Sequence, residues 1–496
     1  MNLPQRTFVG QPAGLATVFF LEMWERMSFY GMRALLVLFL VHQVAEGGFG
    51  LDVPTAAAIY GLYLGGTYIA CLPGGWIGDR LLGSQLAVLF GGIIITCGHL
   101  LLGFAPSSAV FFLGLLVIVL GTGLLKPNAS AIVAQLFPQG GAALDAGFTI
   151  YYVGVNLGAT IGPLITGWLA QRYGWPYGFM AAAAGMALGV LQFLWSRRFL
   201  GDAGRAPMAP SAEVSAASAA RRALPWLCLG ALALAGVVLV LWSGWLHFSP
   251  LAALSFSTQA VLVLAIAYFL YLLFGAGLDA VERRRVGVVM VLFVASALFW
   301  AGYEQAGSSF NLFAERDTAR TLLGFTVPAS WFQALNPIYI VVFGPVFSLL
   351  WVRLALRNLD PSIPLKFILG LLGMSLGFIV MAAAARVVVA GMLAGMGWLA
   401  LTYLLHTWGE LCISPVGLSA VSKLVPRRFV GQSLGVWFAS FSLGELIAGR
   451  IAGNFDPQHV ATIPGLFMRV FWFGMLCAAG LALLLPVLRR WMAGVK

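Results

Sequence analysis

The chain has 496 residues, 61 % hydrophobic and only 9 % charged, with a mean hydropathy of +0.94 and a net charge of +11. A soluble domain carries about 25 % charged residues, so this composition excludes a water-soluble fold and points to a polytopic membrane protein. An HExxH motif is absent, and the five cysteines (Cys71, Cys97, Cys228, Cys412, Cys477) show no CxxC or metal spacing, which argues against an enzyme and against a metal or other cofactor.

Residues 1–14 lack the order of a signal peptide, so the first apolar stretch is expected to be retained. Spans long enough to cross a bilayer fall near 15–41, 54–78, 85–105, 108–135, 146–170, 178–196, 223–247, 255–278, 286–312, 328–352, 365–386, 390–421, 429–452 and 464–488. The first is anomalous because it carries Glu22, Glu25, Arg26 and Arg33. One charge at mid-membrane costs about 2.5–3.5 kcal/mol on insertion scales. Four facing lipid are untenable, and at about 100° per residue they share one face with Phe29 and Tyr30. Glu22 and Arg26 form an i,i+4 pair. Small-xxx-small spacings such as Gly154/Gly158/Gly162 suit close helix packing.

Residues 199–222 are Ala/Ser/Pro-rich and read as a flexible linker. Two spans without internal charge follow, closed by the basic run Arg283-Arg284-Arg285. The parse is an N-terminal six-helix bundle (1–198), the linker (199–222), an inserted helical hairpin with its basic linker (223–285) and a C-terminal six-helix bundle (286–496). With the N-terminus in the cytoplasm, inside segments hold most basic residues, among them Arg80, Arg197, Arg198, Arg353, Arg427, Arg428, Arg489 and Arg490. Both termini are therefore expected to be cytoplasmic. The positive charge reflects membrane topology and contact with lipid, and gives no reason to expect nucleic acid.

Outside the first span, the deep ionisable residues are Lys126, Glu304 and Glu410. With the two sixes aligned as parallel repeats, Arg33 and Glu304 share the outer half and Lys126 and Glu410 the inner half. Each pair joins opposite charges from different halves, which suggests two gate salt bridges, Arg33–Glu304 and Lys126–Glu410, closing in alternation. Glu304 then qualifies as a proton-coupling group, and Glu22 and Glu25 beside Arg26 as a second one. His406 is expected as a packed core residue, and Glu445 with Arg450 as a solvated local tie near the outer surface.

Glu22-Met23-Trp24-Glu25-Arg26-Met27-Ser28-Phe29-Tyr30-Gly31 resembles the ExxERFxYYG-type motif of the proton-dependent oligopeptide transporter family, within the major facilitator superfamily. Gly78-Asp79-Arg80-Leu81-Leu82-Gly83 is similar to the superfamily loop motif, Tyr151 to Gly158 to FYxxxNxG, and Phe299 to Gln305 to FWxxxEQ. Leu335-Asn336-Pro337 and Gly409 to Gly417 resemble the eighth- and tenth-helix segments. The resemblance implies an all-α polytopic membrane protein with the major facilitator fold, twelve core helices plus the inserted hairpin seen in bacterial members. It implies proton-coupled uptake of di- and tripeptides by alternating access, in a bacterial inner membrane, by a protein functional as a monomer.

At the matching positions, Arg26 and Lys126 are expected to hold the peptide carboxylate, and Asn156, Asn336 and Glu410 the amino terminus. Tyr30, Arg33 and Tyr68 would line the cavity, and Trp300 and Trp437 shape side-chain pockets. Met27, Phe29 and Tyr151 depart from the motif residues, and the second helix lacks the histidine of animal relatives, so carboxylates must carry the proton. Some plant relatives move nitrate, which leaves another small anion or zwitterion as the alternative substrate.

Overall fold

The computed structural model describes the chain continuously over residues 7–105, 107–205 and 249–494, and at isolated positions between 206 and 248. The described residues are mostly helical, with a few two-residue strands. In order come α1 (Gly14–Val41), α2 (Val53–Ile77), α3 (Ser84–Gly103), α4 (Ser108–Leu136), α5 (Gly141–Tyr173), α6 (Trp175–Ser196), α7 (Pro250–Leu270) and α8 (Ala280–Tyr303). The short α9 (Ser309–Arg316) precedes α10 (Leu335–Leu356), α11 (Ile363–Val389), α12 (Met396–Leu424), α13 (Val430–Ala452) and α14 (Ile463–Trp491). Among the described residues, eleven helical segments are long and apolar enough to cross a membrane. α1 and α12 are equally long, at 28 and 29 residues, but carry polar faces. The expected span at 223–247 lies outside the described residues, as does most of the linker.

Two compact units emerge, one of residues 1–35 and 66–249, the other of residues 36–65 and 250–496. In the first, glycines decide the packing. A Cβ on Gly154, Gly158 or Gly162 of α5 would press into the backbone of α1 at Phe19, Met23 and Met27 respectively. Gly185 and Gly189 of α6 take Met27 and Trp24 from another side of α1. α1 is thus clasped along one face by α5 and along another by α6. Gly158→Val is expected to lower the unfolding temperature in detergent by at least about 5 °C, since overpacking of this kind costs about 1–3 kcal/mol. An unchanged melting curve would show that α5 does not fix α1.

Four expectations are corrected. Residues 199–205, read as the start of a flexible linker, are pinned: Gln85 Nε2 donates to Gly201 O (3.2 Å) and Ala203 O (2.8 Å), and Gly204 N donates to Gln135 Oε1 (2.7 Å). Gly78–Leu82, read as a loop, continues α2 as one wide turn. The span expected to begin at 390 starts at Met396, after left-handed Gly391 and a short strand pairing of Ala394–Gly395 with Thr318–Ala319. The span expected to run unbroken over 286–312 leaves α-helical geometry at Tyr303; Glu304–Gly307 forms a 3-10 turn before α9. Such tight turns inside a helix often mark functional hinges.

The second unit closes around aromatic rings. His406 lies 5.5 Å from the Phe310 ring and 5.3 Å from that of Phe378, which makes it a core residue as expected. Of the inserted hairpin, α7 packs at the side, where Tyr268 Oη and Ser433 Oγ are 2.8 Å apart. The run from Asp279 has a local use as well as a topological one. Asp279 Oδ1 accepts from Val281 N and Glu282 N (2.8 Å each), and Glu282 Oε2 accepts from Asp279 N (3.2 Å), a capping box that starts α8.

Candidate functional site

In the first unit the charged face of α1 is fully enclosed: Glu22 is 2 % exposed, Glu25 1 %, Arg26 4 % and Arg33 5 %. Arg26 Nε lies 3.3 Å from Glu22 Oε1 and also pairs with Glu25 Oε2. One guanidinium therefore serves two carboxylates through the same nitrogen. Glu22 Oε2, Glu25 Oε1 and Arg26 Nη2 are buried without a hydrogen-bond partner among the described residues. With both acids ionised the trio carries one net negative charge. Each buried ion costs several kcal/mol unless fully compensated. The Tyr151 hydroxyl stands beside Glu22, with Ser130 on its other side.

The remaining candidates of this unit have their own contacts. The Arg26 guanidinium sits 4.8 Å from the Phe29 ring centre and that of Arg33 5.4 Å from Tyr30, cation–π contacts that need no hydroxyl at position 29. Lys126 is half-buried on α4, immediately before Pro127, with its ammonium 4.3 Å from the centre of the Tyr68 ring. Asn156 is buried, and its Nδ2 donates to Tyr152 O one turn back (2.8 Å).

In the second unit the centre is Glu410, 8 % exposed. Its Oε2 accepts from Tyr303 Oη at 2.8 Å and from Asn336 Nδ2 at 2.9 Å, and Asn336 Nδ2 also donates to Thr407 Oγ1 at 3.0 Å. The first turn of α10, the end of α8 and the middle of α12 thus meet at one carboxylate. Glu304 is buried in the 3-10 turn that follows Tyr303. Gln305 locks that turn by donating to Ala301 O (3.2 Å) and Ala448 O (3.0 Å) and accepting from Ser309 Oγ (2.7 Å). Trp300 is half-buried between Tyr303 and Phe441, at 5.1 and 5.0 Å. Trp437 is 2 % exposed and packs over Gly417 and Phe367.

A profile of the POT family matches residues 85–467. The chain belongs to the POT family. It is 40 % identical over 498 residues to the peptide transporter YePEPT of Yersinia enterocolitica subsp. palearctica serotype O:3 (strain YE-P4), covering 98 % of this chain and 96 % of that one. It is 35 % identical over 483 residues to a di-/tripeptide transporter of Lactococcus lactis subsp. cremoris, covering 94 % and 95 %. Its fold matches a crystal structure of a point mutant of the peptide transporter POT in complex with alafosfalin, with TM-score 0.89, 37 % identity and coverage of 99 % and 98 %. It also matches a POT family transporter in complex with 5-aminolevulinic acid, with TM-score 0.86, 31 % identity and coverage of 98 % and 99 %. This POT-family chain is a multi-pass membrane protein whose relatives are transporters and not enzymes.

Within this POT-family chain, two polar residues escaped the sequence reading and a third was misjudged. Tyr303 and Thr407 complete the hydrogen bonding of Glu410 and Asn336. Tyr303 was legible in principle, since it directly precedes Glu304 inside the quoted α8 segment. Thr407 gave no signal, because a threonine in an apolar helix is ordinary. Glu445, expected as a solvated tie, is instead 3 % exposed. Its burial follows from the small residues around it: a Cβ on Gly444 would meet Trp300 Cβ of α8, one on Gly61 of α2 would meet the Glu445 carbonyl, and Ser442 Oγ donates to Gly65 O (2.9 Å). Helices this close leave no room for water over the next side chain. Met27, which departs from the motif residue, lies between Gly162 and Gly185, a gap that suits an unbranched side chain.

Proposed function

We propose that this chain is a proton-coupled symporter that takes up di- and tripeptides by alternating access between two helical bundles, residues 1–198 and 286–496. It works as a monomer in a bacterial inner membrane with both termini in the cytoplasm. The observation that carries the reading is the division of chemistry between units. One holds a buried guanidinium with an unpartnered Nη2 and a nearby ammonium, the other a buried carboxylate and an amide. Every peptide has one anionic and one cationic end, so fixed charges of both signs recognise it whatever its side chains.

Arg26 and Lys126 are assigned to the peptide carboxylate, and Asn156, Asn336 and Glu410 to its amino group. Tyr30, Arg33, Tyr68, Trp300 and Trp437 line the cavity. Glu22, Glu25 and Glu304 carry the coupling proton, with Arg26 setting its affinity. Arg33–Glu304 and Lys126–Glu410 are the two alternating gates. No cofactor is needed beyond the coupling proton.

Proteoliposomes free of internal peptide test this reading. Under an imposed inward pH gradient, dialanine and trialanine are expected to accumulate, with net inward current, and nitrate is not. Absence of uptake of any small peptide overturns the substrate assignment. A Glu304→Gln variant with full proton-driven uptake overturns the outer gate. A second reading, transport of another small anion or zwitterion, draws support from the 31 % identical relative that binds 5-aminolevulinic acid. Faster uptake of that compound or of nitrate than of dialanine would favour it.

A further inference from the structure

We propose that Tyr303 is a positioning residue for Glu410, and that it ties the orientation of this amine-recognising carboxylate to the state of Glu304, the next residue in the chain. The inference rests on the peptide-transport reading above. Its first support is the hydrogen bond from Tyr303 Oη to Glu410 Oε2, at 2.8 Å, with the Asn336 donor converging on the same oxygen at 2.9 Å. Two donors on one oxygen fix the plane of a carboxylate, and so the direction in which its other oxygen points. Bonds to an ionised acceptor are about twice as strong as neutral ones, so losing the tyrosine donor frees the carboxylate to rotate.

The second support is where Tyr303 lies on the backbone. It is the last α-helical residue of α8; Glu304 begins the 3-10 turn, and its N–H reaches back to Gly302 O and Trp300 O. The far side of the turn is clamped by Gln305 onto Ala448 O, so a change at Glu304 cannot dissipate into α9. Protonation of Glu304 removes a charge from a buried turn, and the adjoining Tyr303 ring is the side chain that passes the adjustment to Glu410. The competing account is packing alone: the ring stacks on Phe299 (5.6 Å), meets Trp300 edge-on (5.1 Å) and lies 6.3 Å from His406. Phenylalanine keeps all three contacts and removes only the donor, so Tyr303→Phe separates the two.

In proteoliposome counterflow, Tyr303→Phe is expected to raise KM for dialanine roughly tenfold while leaving the maximal rate within about twofold, as loss of a bond to a charged group implies. Residues acting through one another are non-additive. Tyr303→Phe should therefore add nothing to Glu410→Gln, and Glu304→Gln should alter KM alone but not in combination with Tyr303→Phe. A wild-type KM in Tyr303→Phe, or effects that add to those of Glu410→Gln, overturns the proposal. Infrared difference spectra of the Glu410 carboxylate stretch, identified by its loss in Glu410→Gln, supply a readout that needs no substrate. The band should shift in Tyr303→Phe, and a stationary band overturns the positioning role even if the wild-type protein carries no peptide. Absence of peptide uptake by the wild type, together with a shifted band in Tyr303→Phe, would overturn the transport reading alone. Should Tyr303→Phe fail to fold, site-specific 3-fluorotyrosine at position 303 keeps the shape and strengthens the donor. It should move the same band, and no movement overturns the proposal.

Discussion

Arg26→Lys is expected to cut proton-driven dialanine uptake by about 100-fold, although it preserves the charge. Arg26 reaches Glu22 and Glu25 through Nε while Nη2 remains for another acceptor. A guanidinium presents donors in a rigid fork, whereas an ammonium is a single point charge. The lysine nitrogen must therefore either stay with the two buried acids or engage an incoming carboxylate. A 100-fold loss corresponds to about 2.8 kcal/mol, at about 1.4 kcal/mol per decade, just under the loss of about 3–5 kcal/mol when one partner of a buried charge pair is removed outright. Uptake measured in proteoliposomes above about a third of wild type would show that charge alone suffices and would remove Arg26 from carboxylate recognition.

Glu22→Gln is expected to abolish accumulation but not exchange. Glutamine imitates the protonated acid, so the trio of Glu22, Glu25 and Arg26 becomes permanently neutral and has no proton to release. Peptide-for-peptide counterflow moves no net proton and should persist within about threefold. Uptake driven by a potential of 100 mV should fall by about 40-fold, because one charge crossing that potential supplies about 2.3 kcal/mol. Equal loss of both activities would mean that Glu22 serves folding or peptide binding, and preserved accumulation would move the proton site elsewhere.

The residues differ in how far the sequence exposed them. Glu22, Glu25 and Arg26 stood out because ions in an apolar span are costly, and their burial against one another is the answer local spacing already required. Lys126, Glu304 and Glu410 were found by the same rule. The rule fails for neutral donors: Tyr303 and Thr407 cost little in a membrane helix, so burial cost marks neither, and only the place of Tyr303 beside Glu304 hints at it. It also misjudged Glu445, whose position near a span end suggests water, while the glycines beside it draw α2 and α8 over it. The break at Glu304 was equally hidden, since Glu304-Gln305-Ala306-Gly307 contains no proline and reads as helix; the Gln305 bond to Ala448 O holds the turn.

The sequence by itself determined the membrane setting, the helix order and the charges that need protein around them, because each follows from the cost of burying a polar group in hydrocarbon. The glycine spacing of α5 was also legible, but which α1 residues it receives was not. That register, the two acids sharing Arg26 Nε, and the pair of donors on Glu410 Oε2 were decided by tertiary packing. The physical reason is range. Burial costs act on every residue alone and can be read one at a time. Hydrogen bonds and close helix contacts join residues as far apart as Tyr303 and Glu410, and exist only when the folded chain brings both atoms within about 3 Å.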